Sequence, residues 1–453
     1  MYTLYAKMRR KKKLSSSQII ILGFLGVILL GTLLLMLPWA TKDNGSAPFL
    51  DALFTATSAT CVTGLVTHDT ATYWTLFGKA VILCLIQIGG LGVITVAIVI
   101  TRISGRKIGL MQRSVMQESI AAPQMGGIVR LTRFIFRTVL LVEGLGAVAL
   151  MPSMIRTFGV AQGIAYAVFH SISAFCNAGF DLMGVGQPYS SLTSFSGDIV
   201  VNLVIMALII IGGIGFLTWE DIVRHRFHFA KYRMQSKVIL VVSGILIVLP
   251  TIWFYFAEFG NDVWGAMSVK ERLLCSLFQS VTARTAGFNT VDLTQVSEPG
   301  LMLMILLMMI GGSTGSTAGG MKTTTIAVLF ATAAAVFKRR PNAHMFGRRI
   351  PNDTAHYAAT VVVLYVSLML AGGIFISYAE NLPILPALFE AASAIATVGL
   401  SLSGTPTFGA ASRLVLILLM FMGRVGGMTI VYAALARKKP YVSELPQEKI
   451  MVG

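Results

Sequence analysis

Residues 395 to 403 read IATVGLSLS and follow an apolar run of small residues, LPALFEAASA. A short helical run that ends in Thr-Val-Gly is worth asking about. A backbone that turns several carbonyl oxygens toward one ion needs unusual torsions, and glycine adopts them without steric cost. A single Thr-Val-Gly is common in ordinary loops, so its weight depends on whether it recurs.

It recurs four times. SATCVTGL (58–65), SAFCNAGF (173–180), VTARTAGF (281–288) and SAIATVGL (393–400) each centre on one glycine, and three of the four begin Ser-Ala. The glycines Gly64, Gly179, Gly287 and Gly399 are separated by 115, 108 and 112 residues, and each is followed by Leu or Phe. A second glycine motif trails each one: IGGLG from 88, IGGIG from 211, IGGSTG from 310 and GRVGG from 423. Two motifs in the same fourfold register are the mark of an internal repeat. Helix packing is the simpler role for the second set, since small residues let membrane helices approach closely.

The surrounding chain is built for a membrane. Its 453 residues are 55% hydrophobic and 12% charged, with a mean hydropathy of +0.77, whereas soluble domains carry roughly 25% charged residues. Apolar stretches at 18–38, 78–100, 133–152, 199–218, 237–256, 301–310 with 325–337, 357–378 and 412–432 predict eight crossings. Between the members of each pair lies a shorter run, near 50–60, 164–176, 271–283 and 384–396. These are too short to span a bilayer and suit re-entrant helices. Most of the 36 Lys and Arg residues fall in the N-terminal run and at 102–137, 224–237, 338–349 and 437–449. That places both termini and every even-numbered connection in the cytoplasm of a multi-pass plasma-membrane protein. No small-residue cleavage site follows the basic N-terminus, so no removed signal peptide is read there. The net charge of +17 is then a topology signal, and no nucleic-acid partner is needed to explain it. The opposite side is acidic, with Asp51, Asp69, Asp181, Asp262, Asp292 and Glu298, and an acidic mouth concentrates cations. Cys61, Cys84, Cys176 and Cys275 show no metal-ligand spacing and receive no redox or metal role.

The expected fold is therefore an all-α integral membrane protein. Four covalently linked repeats of helix, re-entrant pore helix and helix surround one central ion pore, with eight transmembrane helices. The divisions are a basic N-terminus (1–17), repeats at 18–105, 106–230, 231–340 and 341–436, and a cytoplasmic tail (437–453). One repeat encloses nothing. Four around an axis bring the loops together, so their backbone carbonyls replace the hydration shell of an ion, and the C-terminal ends of the short helices favour a cation there. The predicted cation filter comprises Val62, Thr63 and Gly64, then Asn177, Ala178 and Gly179, then Thr285, Ala286 and Gly287, then Thr397, Val398 and Gly399.

On these motifs the chain resembles the Trk/Ktr/HKT superfamily of potassium transporters, and within it the membrane subunits of bacterial Ktr uptake systems, over nearly its whole length. In that family each loop is a degenerate relative of the potassium-channel TVGYG signature, with one glycine per repeat as the constant element. The fourth loop here keeps Thr-Val before its glycine; the others read Val-Thr, Asn-Ala and Thr-Ala. Some plant relatives with serine in place of the first glycine favour sodium, so Gly64 implies potassium selectivity. The resemblance also implies a homodimeric membrane part, an octameric nucleotide-binding ring (KtrA-like) as cytoplasmic partner, and an intramembrane gating loop beneath the filter.

The sixth span is interrupted by GGSTGSTAGGMKTT, residues 311–324, with five glycines in fourteen residues. At about 1 kcal/mol per glycine relative to alanine, a continuous helix is poor there. Met321 between Gly320 and Lys322 breaks the phosphate-loop pattern. Lying below the filter in register, the segment reads as a mobile gate, built from Gly311, Gly312, Ser313, Thr314, Gly315, Ser316, Thr317, Gly319, Gly320 and, at its cytoplasmic end, Lys322. Arg424, inside the last span, should face the bundle interior and find partners; the resemblance implies that it faces the pore near the gate. Arg284 and Glu390 are expected to brace the filter from behind. Glu143, inside a span, is either functional or paired with polar groups of another helix.

No segment reads as a soluble nucleotide-sensing domain, so regulation falls to a separate protein docking on the basic loops. The resemblance implies K+ as the cargo, Na+ as an activator, and nucleotide bound by the partner subunit only. Two rival functions are a sodium-selective uniporter of the same fold and a multi-spanning membrane enzyme. The second needs convergent catalytic groups, and the six histidines, His68, His170, His225, His228, His344 and His356, are scattered along the chain.

Overall fold

The computed structural model describes residues 15–42, 45–93, 95–97, 109–120, 126–226, 228–402 and 404–426, with 429, 446 and 448. Nearly all of the basic N-terminus, the basic positions 102–107 and nearly all of the C-terminal tail lie outside the described residues.

The elements recur in the expected order. The first set is α1 (Ser16–Leu35), the short α2 (Phe49–Cys61) and α3 (Leu76–Leu91). A connecting helix, α4 (Leu110–Ile120), leads to α5 (Ile128–Phe158), the short α6 (Val160–Phe175), α7 (Ile199–Gly213) and α8 (Phe216–His225). The third set is α9 (Met234–Trp253), α10 (Val269–Thr282), α11 (Glu298–Met309) and α12 (Thr323–Phe337). A two-residue antiparallel ribbon, β1 (His344–Met345) with β2 (Arg348–Arg349), precedes α13 (Asn352–Glu380), α14 (Ile384–Ile395) and α15 (Ala410–Val425).

Local chemistry explains where these helices begin. Capping boxes start α1 (Ser15 with Gln18) and α10 (Ser268 with Glu271). Thr75, Asp198 and Ser297 accept the first backbone N–H groups of α3, α7 and α11. Each interaction satisfies donors that the helix itself leaves unpaired.

Eight crossings are expected; among the described residues four helices are long and apolar enough to span a bilayer, or five if the bent pair α7 and α8 counts as one. The first helix of each set is long and apolar: 20 residues for α1, 31 for α5, 25 for α9 continued by a π-turn to Glu258, and 29 for α13. The second helices are shorter, at 16, 15, 12 and 16 residues, and each stops at a glycine. Gly92, Gly215, Gly311 and Gly426 have φ of +84°, +92°, +35° and +90°, and such torsions end a right-handed helix. At Gly215 the chain turns by 99° from α7 into α8. Hydropathy alone runs three of these spans, all but the one from 301 to 310, through the break, because glycine is apolar enough to extend the run.

The four short helices form the centre. From Ala387 to Ile395 only Leu388 of α14 has appreciable exposure, and α2 is buried from Phe54 to Cys61. Their Ala, Ser and Thr content permits this convergence. Apolar side chains on the outer faces of the long helices, such as Leu29, Leu33, Leu141, Leu145, Val248 and Leu249, are exposed. A soluble fold would not tolerate so much of this surface in contact with water.

The last repeat closes on the first through an ion pair. Arg413 on α15 places Nη1 2.6 Å from Asp51 Oδ1, at the start of α2, and Nη2 2.8 Å from the Pro406 carbonyl. The other Asp51 oxygen lies 3.2 Å from His68 Nε2, and that ring stacks on Tyr73 at 4.0 Å. The pair joins residues 362 apart in sequence. Removing one partner of a largely buried pair leaves the other charge uncompensated, which costs about 3 kcal/mol. Arg413→Gln is therefore expected to lower the thermal unfolding midpoint in detergent by several degrees, while the exposed Lys270→Gln is expected to leave it unchanged. Equal midpoints for the two variants would show that the pair does not hold the first and last repeats together.

Candidate functional site

Each short helix ends in the same unusual turn. Two residues before each motif glycine the backbone is left-handed: Val62, Asn177, Thr285 and Thr397 have φ of 58°, 57°, 73° and 52°. The glycines come next in the turn at 95°, 69°, 83° and 96°. Asparagine tolerates this region, but for β-branched Val62, Thr285 and Thr397 it costs of order 1–3 kcal/mol each. Left-handed residues alternating with an ordinary one let successive carbonyls turn the same way, as a cation-coordinating loop requires.

The four loops meet in a closed ring. A methyl carbon placed on Gly64 would stand 2.5 Å from the Ala178 carbonyl oxygen, and one on Gly179 would stand 2.8 Å from that of Ala286. On Gly287 it would overlap the Val398 oxygen, and on Gly399 the Thr63 oxygen, which returns the circuit to the first repeat. Each glycine thus abuts the next repeat's loop, and no side chain fits at any of the four.

Hydroxyls hold the turns. Ser58 Oγ accepts Gly64 N–H at 3.1 Å and Ser393 Oγ accepts Gly399 N–H at 3.0 Å, while Ser173 Oγ donates to the Phe180 carbonyl at 2.6 Å. In the third loop Val281 stands in that place, and Thr282, one residue on, donates to the Phe288 carbonyl at 2.5 Å. The repeated Ser-Ala is visible in the sequence, but the bonding of its hydroxyl is not; the serine six residues before each of three glycines was the available signal. Glu390 and Arg284 form no pair with each other among the described residues. Glu390 accepts from Ser401 Oγ at 2.7 Å and Leu402 N–H at 2.8 Å, anchoring the segment after Gly399. Arg284 Nη2 donates to Ser243 Oγ on α9 at 3.1 Å, and its Nε is buried without a partner. Glu143 ties two repeats: Gln87 Nε2 donates to its carboxylate at 3.2 Å, and Ser171 of α6 donates to its backbone carbonyl at 2.6 Å.

The glycine motifs of the second helices sit against these loops. A Cβ on Gly89, Gly212 or Gly423 would overlap the carbonyl of Thr60, Phe175 or Ile395, each four residues before its ring glycine. Their role is close packing, as the sequence suggested. Arg424 occupies the place after Gly423 where the other three motifs have Gly90, Gly213 and Gly312. Its guanidinium reaches across the bundle to the carbonyls of Thr317 and Gly89, and to that of Gly90 at 3.3 Å.

The 311–324 segment forms an irregular bar beneath the ring. Ser313 N–H donates to Gly213 O at 2.9 Å, Thr317 N–H to Gly212 O at 3.2 Å, and Thr317 Oγ1 to the Phe175 carbonyl at 3.0 Å. Phe216 N–H donates to Gly315 O at 2.7 Å. Gly319 is packed against Thr397 and Gly320 against Ala396. Ser313 and Thr314 pair through their hydroxyls with Thr323 and Thr324, and Ser316 Oγ donates to Ser313 O at 2.7 Å. Lys322 folds back, with Nζ 2.8 Å from Ala318 O and 2.9 Å from Gly319 O. The bar, Gly312 included, thus touches the second and fourth repeats from within the third, while Gly311 packs against Met321, Gly319 and Thr285 of the third.

Two cavities flank this assembly and share no lining residue. One of about 390 Å³ opens above the ring and is lined by all four ring glycines with Asp69, Asp181 and Asp292. Burial pushes the Asp181 carboxyl up to about 7; the Met183 N–H opposes the shift and the charge of Asp69 adds to it. The other cavity, of about 280 Å³, lies beyond the bar and is lined by Thr314 to Ser316, Lys322 and Arg424. Among the described residues no cluster of three His, Cys, Asp or Glu side chains could hold a metal ion.

The chain matches the family described as "TrkH: Cation transport protein" over residues 6–444. It belongs to that family. It is 40% identical to the potassium/sodium uptake protein NtpJ of Enterococcus hirae, over 99% of each chain. It is 37% identical to the Ktr system potassium uptake protein B of Bacillus subtilis, over 92% of each. The crystal structure of the potassium transporter TrkH from Vibrio parahaemolyticus superposes with a TM-score of 0.71 at 21% identity, covering 93% of this chain and 86% of that one, which establishes the common fold.

The chain is accordingly a cation transporter, and in this fold each ring glycine lies against a carbonyl of the neighbouring loop. Gly399→Ala is expected to destabilise by about 2 kcal/mol through strain and overlap. Gly144→Ala, in open space on α5, is expected to be neutral or to stabilise by about 0.5 kcal/mol. Thermal unfolding in detergent distinguishes the two, and a silent Gly399→Ala would mean the ring is looser than the contacts imply.

Proposed function

We propose that this chain carries K+ into the cell through one pore enclosed by its four repeats, and that Val62 to Gly64, Asn177 to Gly179, Thr285 to Gly287 and Thr397 to Gly399 form the selectivity filter. The closed ring of four glycine loops carries this reading. A ring of backbone oxygens fed by four short-helix C-termini suits a dehydrated monovalent cation. A glycine in all four places favours K+ over Na+, and the names of the relatives, potassium/sodium uptake protein and Ktr system potassium uptake protein B, agree with K+ as cargo and Na+ as a second participant. Asp69, Asp181 and Asp292 around the upper cavity would raise the local cation concentration.

The bar from Gly311 to Lys322 is the gate in this proposal, with Arg424 as its latch. Arg424 holds the Thr317 carbonyl against the first repeat, and its charge opposes cation passage while it stays there. Opening requires those bonds to break, which gives a cytoplasmic partner something to act on. In keeping with the Ktr resemblance, we assign that partner as an octameric nucleotide-binding ring, the membrane part as a homodimer, and both termini to the cytoplasm by the basic-residue distribution.

Rubidium uptake into proteoliposomes loaded with K+ tests the filter. External K+ is expected to compete well and Na+ poorly, with Gly64→Ser narrowing the difference; equal competition by Na+ would replace the potassium assignment with a sodium-permeable pore. Arg424→Ala is expected to raise basal uptake about tenfold, since hydrogen bonds to a charged group contribute about 1.5 kcal/mol or more. Unchanged uptake would remove Arg424 from the gate. The Asp181 carboxyl gains charge as pH rises through about 7. Uptake at low K+ is therefore expected to rise about threefold between pH 6 and 8, the effect of one charge several ångströms from the ion in water. Asp181→Asn is expected to flatten that rise, and an unaltered pH profile would count against the vestibule charge.

A further inference from the structure

Away from the axis, on the basic face, a cavity of about 640 Å³ lies between the start of α5 and α8. Three arginines line it, Arg130, Arg224 and Arg233, against one carboxylate, Glu220. Arg233 is committed, with Nη2 3.0 Å from Glu220 and Nε 3.6 Å from Asp221. Arg130 and Arg224 are exposed and have no ion-pair partner among the described residues. The cavity therefore presents two uncommitted guanidinium groups. It also includes Gly127, where α5 begins without a side-chain cap, so the positive end of a 31-residue helix adds to the field.

The exposed face of α5 beyond the cavity decides which anion fits. Arg130, Arg133 and Arg137 lie on one exposed face at helical spacing. The same face continues into Leu141, Leu145 and Val148, exposed at 61%, 64% and 62%. At 1.5 Å per residue α5 is about 46 Å long, well beyond the roughly 30 Å hydrocarbon layer. Set across such a layer with Leu141 to Val148 in hydrocarbon, its arginine end would extend into the headgroup region. Charged pocket and apolar track are continuous, which matches a ligand with an anionic head and hydrocarbon chains. A free phosphate would use only the upper part. A folded protein surface would leave the track to ordinary bulk lipid and give no reason for its alignment with the arginines.

We propose that this cavity binds the phosphodiester headgroup of an anionic membrane lipid, such as phosphatidylglycerol, with Arg130 and Arg224 as its ligands and the acyl chains lying along Leu141 to Val148. A lipid so placed braces the start of α5 against α8, and α8 continues from the helix that anchors the gate bar through Gly212 and Gly213.

Native mass spectrometry of the full chain in detergent, after incubation with phosphatidylglycerol or phosphatidylcholine, tests this. About one phosphatidylglycerol per chain is expected to survive, with phosphatidylcholine lost. Arg130→Gln with Arg224→Gln is expected to weaken retention about fivefold for each arginine removed. The charge-keeping Arg130→Lys with Arg224→Lys is expected to retain most of it, which separates lipid loss from misfolding. Arg348→Gln with Arg349→Gln on the ribbon is expected to change nothing. Displacement of the lipid by millimolar glycerol phosphate would show a soluble-phosphate site and overturn the lipid assignment. Equal retention of the two lipids would also overturn it, as would undiminished retention in the glutamine double variant.

Discussion

The mutual contact of four glycine backbones governs this molecule. Gly64, Gly179, Gly287 and Gly399 each approach the next loop so closely that a single added carbon would strike a carbonyl oxygen. That approach demands short helices of small residues behind it, since bulkier ones would hold the loops apart. It also demands that strained torsions at Val62, Thr285 and Thr397 be held from outside. The serine and threonine hydroxyls, Glu390 and the packing glycines Gly89, Gly212 and Gly423 do the holding. Asp51 and Arg413 keep the first and last repeats in contact, so that the ring does not open where the chain is not continuous.

The second helices show how one device serves two ends. Three of them touch a loop carbonyl through Gly89, Gly212 or Gly423, where only glycine fits, and a glycine in a left-handed conformation ends each of the four. In the third repeat the interruption has grown into the whole 311–324 bar. In the fourth, one glycine of the motif has become Arg424, whose side chain spans the space left open by the glycines of the other repeats. Both departures from fourfold likeness meet at the Thr317 carbonyl, and the asymmetry of the site is concentrated there.

Much of this was legible in the sequence because glycine spacing and hydropathy report backbone constraints directly. The short run expected near 384–396 is the helix Ile384–Ile395, and the polar break fell where the bar lies. The breaks within the second crossings are not legible: the run from 78 to 100 gives no sign that α3 stops at Leu91, since hydropathy is blind to the hand of a glycine torsion. Partners were harder still. Arg424 and Lys322 are satisfied by backbone carbonyls, which every residue supplies and no motif marks. The Asp51 to Arg413 pair spans nearly the whole chain, and Arg284 and Glu390, both close in sequence to a ring glycine, face different elements. The connecting helix α4 and the ribbon at 344–349 carry too little hydropathy signal to stand out.

Covalent linkage of the four loops has an evolutionary corollary. In an assembly of four identical chains, one codon change alters every quadrant of the ring at once. Here each quadrant is encoded separately, so variation proceeds in quarter steps. Valine, asparagine and threonine already share the same backbone position around the ring, and serine duties have passed to Thr282 in one quadrant alone. A lineage built this way can tune the ion's surroundings one side at a time and keep a working pore throughout.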